Sequence, residues 1–96
     1  MTKADLVEIV AERTGFTKTE TAVIIESFLN SVKDVMSDGN TIEIRRFGSF
    51  KLKERKPRVA RNPKTGKPVD VAKRVVPVFK PSKIFKDLIA KNVKEL

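Results

Sequence analysis

The chain is predicted to be an α+β protein: two N-terminal helices, a three-stranded antiparallel sheet drawn out into a long β-ribbon arm, and a C-terminal helix. Three observations predict this. Apolar residues recur at helical spacing at both ends of the chain, and alternating and valine-rich runs fill the middle. A turn sequence, Arg61-Asn62-Pro63-Lys64-Thr65-Gly66-Lys67-Pro68, sits at the centre of a basic stretch that offers little material for a core.

Thr2 with Asp5 has the form of a helix N-cap with an acid in the first turn, and Leu6, Ile9, Val10 and Arg13 follow at helical spacing up to Gly15. Thr17-Lys18-Thr19-Glu20 is a capping box, followed by an apolar stripe of Ile25, Phe28, Leu29, Val32, Val35 and Met36. Val23 and Ile24 widen the stripe, as suits a helix buried on more than one side, and Ser37-Asp38-Gly39-Asn40 stops it. Thr41 to Ile44 alternates, Arg45-Arg46-Phe47-Gly48 reads as a turn, and Phe50 and Leu52 resume a strand with one buried face.

Beyond Leu52 the apolar face disappears. The return run from Val69 to Phe79 is rich in valine, with Pro77 near its base. At about 3.3 Å per residue, the ten or so residues on each side of the tip would project roughly 30 Å. Ser82 then caps a last helix whose inner face is Ile84, Phe85, Leu88, Ile89 and Val93. The chain thus divides into a helical body (1–40), a sheet with its arm (41–81) and a C-terminal helix (82–96), all within one domain.

Without the basic stretch, roughly 65 residues remain to build a core, and domains of that size bury only about 60% of their unfolded surface. A partner subunit is expected. Charge is divided unevenly: residues 1 to 44 hold four basic and eight acidic side chains, whereas residues 45 to 96 hold seventeen basic and four acidic ones. The C-terminal half is therefore a concentrated positive field suited to a polyanion. With no Cys, His, Trp or Tyr, the chain lacks thiolate nucleophiles, imidazole bases and the usual zinc ligands, so no enzyme, metal, cofactor or small-molecule substrate is expected. The longest wholly apolar run, Ala22 to Ile25, is too short to span a bilayer, and an intracellular protein without a membrane partner is expected.

Arg55, Arg58 and Arg61 recur at every third position with Lys53, Lys64, Lys67, Lys73 and Arg74 nearby. That is more cation than an edge strand needs to prevent aggregation, and it points to phosphate or groove contact. Pro63 at the tip is an apolar wedge of a size to enter between stacked base pairs. Lys3, Lys83 and Lys86 lie in or near the first turns of helices, where the dipole disfavours cations and an anion would relieve the conflict. The six Phe residues are read as structural, which removes the exposed aromatics that single-strand or RNA binding usually needs. Gly66-Lys67 does not complete a phosphate loop, because Arg61 stands where that motif requires glycine.

Three motifs, Arg46-Phe47-Gly48-Ser49-Phe50, Arg61 to Gly66, and Val76-Pro77-Val78-Phe79-Lys80-Pro81, resemble those of the bacterial histone-like DNA-bending proteins, HU and integration host factor, over essentially the whole chain. The resemblance implies an intertwined dimer, homodimeric or heterodimeric, with Phe28, Leu29, Val32, Phe47, Phe50 and Phe79 in its core. It implies two arms that embrace double-stranded DNA through the minor groove, with Pro63 wedged into a base step. Such wedging by HU and integration host factor is a general property of that family rather than something read from this chain. By the same resemblance Arg55, Arg58, Arg61, Asn62, Lys64 and Lys67 match positions on the arms, and Lys3, Lys80, Lys83 and Lys86 match positions flanking DNA on the body. The implied role is nucleoid-associated compaction of DNA in the cytoplasm. Arg46, Ala60 and Ser82 stand where the family frequently has glycine, and Arg46 would add a groove contact. Ile42-Glu43-Ile44-Arg45 looks like the integration host factor β-type subunit, where the Glu and Arg help sequence recognition. General HU-like binding is the preferred expectation, a sequence-preferring integration host factor subunit the alternative, and an RNA-binding or ribosome-associated protein the runner-up.

Overall fold

The computed structural model describes residues 1–96. It has helix α1 (Lys3–Thr14), helix α2 (Lys18–Ser37), strands β1 (Ile42–Ile44), β2 (Gly48–Arg55), β3 (Arg58–Arg61), β4 (Pro68–Val71) and β5 (Arg74–Pro81), and helix α3 (Lys83–Asn92). The helix starts are set by local hydrogen bonds. Thr2 Oγ1 accepts from the Asp5 backbone N–H while the Asp5 carboxylate accepts from that of Thr2, and Thr17 and Glu20 form the same reciprocal box. On α3, Ser82 Oγ accepts from the Phe85 N–H at 3.1 Å. Gly15, at φ 81°, ends α1 in the left-handed conformation that glycine adopts without steric cost.

α1 packs on α2, and α2 touches β1 and β2. Strand order is β1-β2-β5, all antiparallel, so Pro77 and Pro81 lie on an edge strand where a missing N–H is tolerated. Phe50 pairs with Phe79 and Leu52 with Pro77 on one sheet face, while Val76 and Val78 pair with Lys53 and Lys51 on the other. Four rings, Phe47, Phe50, Phe79 and Phe85, stack in tilted pairs with centroids 5.0–6.2 Å apart, and Phe85 brings α3 to the sheet through this cluster. Gly48 is buried beneath the cluster.

The sheet departs from the expected continuous arm. The β2–β5 ladder stops at the Arg55–Arg74 pair, and a separate two-stranded ribbon, β3–β4, carries the tip. Pro57 has no N–H to donate, and two arginines directly opposite each other repel, so the ladder breaks where both occur. The last helix is also shorter than the 82–96 span read from the sequence. Val93, expected on its inner face, is extended at φ −120°, ψ 104°, because a β-branched residue without a capping glycine does not prolong a helix that nothing downstream covers.

Only four of the 96 residues are buried. The accessible surface is 8544 Å², whereas a compact monomer of this mass would expose about 5,500 Å². The radius of gyration is 18.5 Å, against about 12.5 Å for a compact chain of this length. Part of the excess is the arm and part is apolar body: Val23, Ile24, Phe28, Leu29 and Val35 of α2 and Ile84, Leu88 and Ile89 of α3 are exposed. An open hollow of about 620 Å³ between α2 and the sheet is lined by Val32, Met36, Phe50, Leu52, Val75 and Pro77.

Candidate nucleic-acid interface

The sheet's alternation sorts its side chains. Phe50 and Leu52 share one face, and the opposite face carries Lys51, Lys53 and Arg55 of β2 with Arg74 and Lys80 of β5. Lys51 was not among the candidates read from the sequence, although its position two residues before Lys53 places it on this face. In the ribbon, Arg58 pairs with Val71, and Arg61 with Pro68. A spacing of three puts successive arginines on opposite faces of a strand, so Arg58 and Arg61 present charge on both sides of the ribbon.

The tip is held by its own hydrogen bonds. The Asn62 N–H donates to the Lys67 carbonyl at 2.9 Å, and the Gly66 N–H to the Asn62 carbonyl at 2.8 Å. Asn62 Oδ1 accepts from the Lys64 N–H at 2.8 Å, and Arg61 Nη1 donates to the Gly66 carbonyl at 3.2 Å. Asn62 therefore shapes the loop, and Gly66, at φ 69°, supplies a left-handed turn residue. Pro63, Lys64 and Lys67 are left exposed.

Two candidate cations are already paired. Lys3 Nζ lies 2.5 Å from Glu26 Oε2, and this contact holds the Glu26 carboxyl below the usual carboxylate range. The conflict between Lys3 and its helix dipole is thus relieved from within the chain. Lys73 Nζ lies 2.5 Å from Glu54 Oε1 at the root of the arm. These pairs join residues 23 and 19 positions apart, so sequence spacing alone gave no signal of them. Lys83 and Lys86 remain exposed in the opening of α3, whose first turn has no acid.

Arg45 and Arg46 form the β1–β2 turn, closed by the Phe47 N–H donating to the Ile44 carbonyl at 3.1 Å. Arg46 has φ 65° and is the chain's one non-glycine residue at positive φ. This accounts physically for glycine's frequency there in the family the motifs resemble: the turn requires a left-handed residue, and arginine adopts that conformation at a steric cost.

The profile of bacterial DNA-binding proteins matches residues 1–90. The chain belongs to this family. It is 42% identical over 89 residues to integration host factor subunit alpha of Myxococcus xanthus, covering 93% of this chain and 69% of that relative. The subunit alpha of Xanthobacter autotrophicus is 44% identical over 89 residues, with 93% and 85% covered. Among solved structures, an Anabaena HU–DNA cocrystal superposes with TM-score 0.89 at 34% identity, covering 94% of this chain and 98% of that one. A mutant HU from Thermotoga maritima gives 0.70 at 28% identity, with 93% and 99% covered. For this member of the bacterial DNA-binding protein family, the macromolecular partners are double-stranded DNA and a second subunit. No helix is long and apolar enough to cross a membrane. The relatives carry the alpha-subunit name, whereas Ile42 to Arg45 read from the sequence as beta-like.

Proposed function

We propose that the chain is a non-catalytic architectural protein of the nucleoid, in the cytoplasm, that works as an intertwined dimer and bends duplex DNA. The observation that carries this is the exposed Pro63 at the end of a cation-bearing ribbon whose loop is fixed by Asn62 and Gly66. A preset loop presents the proline ring without ordering cost on binding, and an apolar ring entering a base step unstacks and kinks the duplex. Arg55, Arg58, Arg61, Lys53, Lys64, Lys67 and Arg74 would follow the backbone along the minor groove. Lys80, Lys83, Lys86, Arg45 and Arg46 would meet phosphates on the body, with Lys3 and Lys73 contributing once their carboxylate partners yield. Phe28, Leu29 and Val32 of α2 and the rings of Phe47, Phe50 and Phe79 would be covered by the second subunit. The exposed apolar surface of α2 and α3 is of the kind that large obligate interfaces bury.

A second reading differs in specificity. The curated relatives carry the name of integration host factor alpha, and in this reading Arg46, held in a turn at positive φ beside Arg45, would favour particular sites. A panel of random, nicked and site-bearing duplexes, with structured RNA of equal length as competitor, separates these at one salt concentration. General architectural binding predicts similar affinity for random and site-bearing duplexes, a gain on nicked DNA and weak competition by RNA. A strong preference for one site would favour the second reading, and RNA outcompeting every duplex would refute both.

A further inference from the structure

At the joint between sheet and ribbon, β2 ends, β3 begins, β4 ends and β5 begins within a few residues, and the strand ends surround a hollow of about 310 Å³. Arg55, Lys56, Arg58 and Arg74 line it with Val71, and no acid is among the lining residues. None of the four cations takes part in an ion pair within the chain, and neighbouring Glu54 is engaged by Lys73. Arg55 and Arg74 are also direct cross-strand partners, a like-charge pairing that costs stability unless an anion lies between them. Guanidinium groups that line a small hollow suit the oxygens of a phosphoryl group, which can accept two parallel N–H bonds from one guanidinium.

We propose that this joint binds a free condensed phosphate, of the pyrophosphate or tripolyphosphate class, in the DNA-free protein, and that the bound anion competes with DNA for the arm. The competition rests on the arm being the DNA-binding element; the site itself does not. A pyrophosphate would offset most of the charge of the four lining cations, and its two phosphoryl groups would lie where the two strand pairs part. Bound there, it would neutralise the root of the arm before the duplex arrives.

The test is calorimetric titration of sodium pyrophosphate into the DNA-free, full-length protein at low salt. Saturable binding of one pyrophosphate per chain is expected, weakened about tenfold or more in the variant Arg55→Gln/Arg74→Gln. The equally charge-reduced tip variant Lys64→Gln/Lys67→Gln should bind pyrophosphate as the unmodified chain does. Equal loss in both variants, or no saturable binding, would show a diffuse counterion atmosphere and overturn the site. In a second arm at matched ionic strength, pyrophosphate should weaken duplex binding by the unmodified chain more than by Arg55→Gln/Arg74→Gln. Duplex affinity untouched by saturating pyrophosphate would overturn the competition. A chain that bound no duplex at all would refute the DNA reading and leave the titration result standing.

Discussion

Raising salt from about 50 to about 200 mM is expected to lower affinity for duplex DNA by about 10³- to 10⁵-fold, the loss for a protein making about 6 to 10 phosphate contacts. The expectation follows from where the cations stand. Lys51, Lys53, Arg55, Arg74 and Lys80 share one sheet face, and Arg58, Arg61, Lys64 and Lys67 continue the positive surface to the tip. Each phosphate contact releases condensed counterions, so the slope of log affinity against log salt counts the contacts. Lys3 and Lys73 contribute less than unpaired lysines, because each must first leave Glu26 or Glu54. Fluorescence anisotropy across a salt series measures the slope directly. An affinity that barely responds to salt would contradict phosphate contact as the source of binding.

The second large effect falls on the body. Gly48→Ala is expected to lower Tm by roughly 5 to 20 °C, from an overpacking cost of about 1–3 kcal/mol in a small domain. A Cβ at Gly48 would stand 2.5 Å from the Lys80 carbonyl oxygen and 2.6 Å from Phe79 Cζ. The carbonyl is backbone on the paired strand, and Phe79 is held between Phe47 and Phe50, so neither yields by rotating a free side chain. The displaced ring would disturb the cluster through which Phe85 brings α3 to the sheet. Gly15→Ala is the comparison. Its Cβ meets nothing within 4 Å, and it carries only the cost of a left-handed alanine, about 1–2 kcal/mol. Calorimetry at one protein concentration should find Gly48→Ala the less stable of the two. Melting of Gly48→Ala at the unmodified temperature would show that the strands separate more easily than their packing implies.

What the sequence revealed, and what it hid, follows from the range of the interactions. The caps at Thr2, Thr17 and Ser82 close hydrogen bonds to the residue three positions on, so their signatures lie within one turn of chain and were legible. The alternation that places Phe50 and Leu52 opposite Lys51 and Lys53 was equally local, although only the pairing with β5 shows Lys51 joining Lys80 and Arg74. The break in the arm depended on a pairing no single strand displays. Pro57 was visible, but its consequence required Arg74 to stand opposite Arg55. The Lys3–Glu26 and Lys73–Glu54 pairs are tertiary, and they alter which cations are free. At the candidate site the proline and its turn formers were legible, whereas the closure of the loop by the Asn62 N–H on the Lys67 carbonyl, five positions on, was not. The uncovered apolar surface of α2 explains why its stripe read as wider than one face requires: part of the stripe packs within the chain, and part is left exposed.

Pro63 is the residue on which the bending claim stands, and its role separates from affinity. The surrounding cations act through charge, while the ring acts by occupying a base step. Energy transfer between dyes at the two ends of a short duplex, compared for the unmodified chain and Pro63→Ala at saturating protein, tests this most directly. The account predicts that Pro63→Ala still saturates the duplex with the same salt slope but leaves the ends farther apart, as a straighter helix requires. An end-to-end distance identical to that of the unmodified complex would contradict the wedge and leave bending to the charges alone.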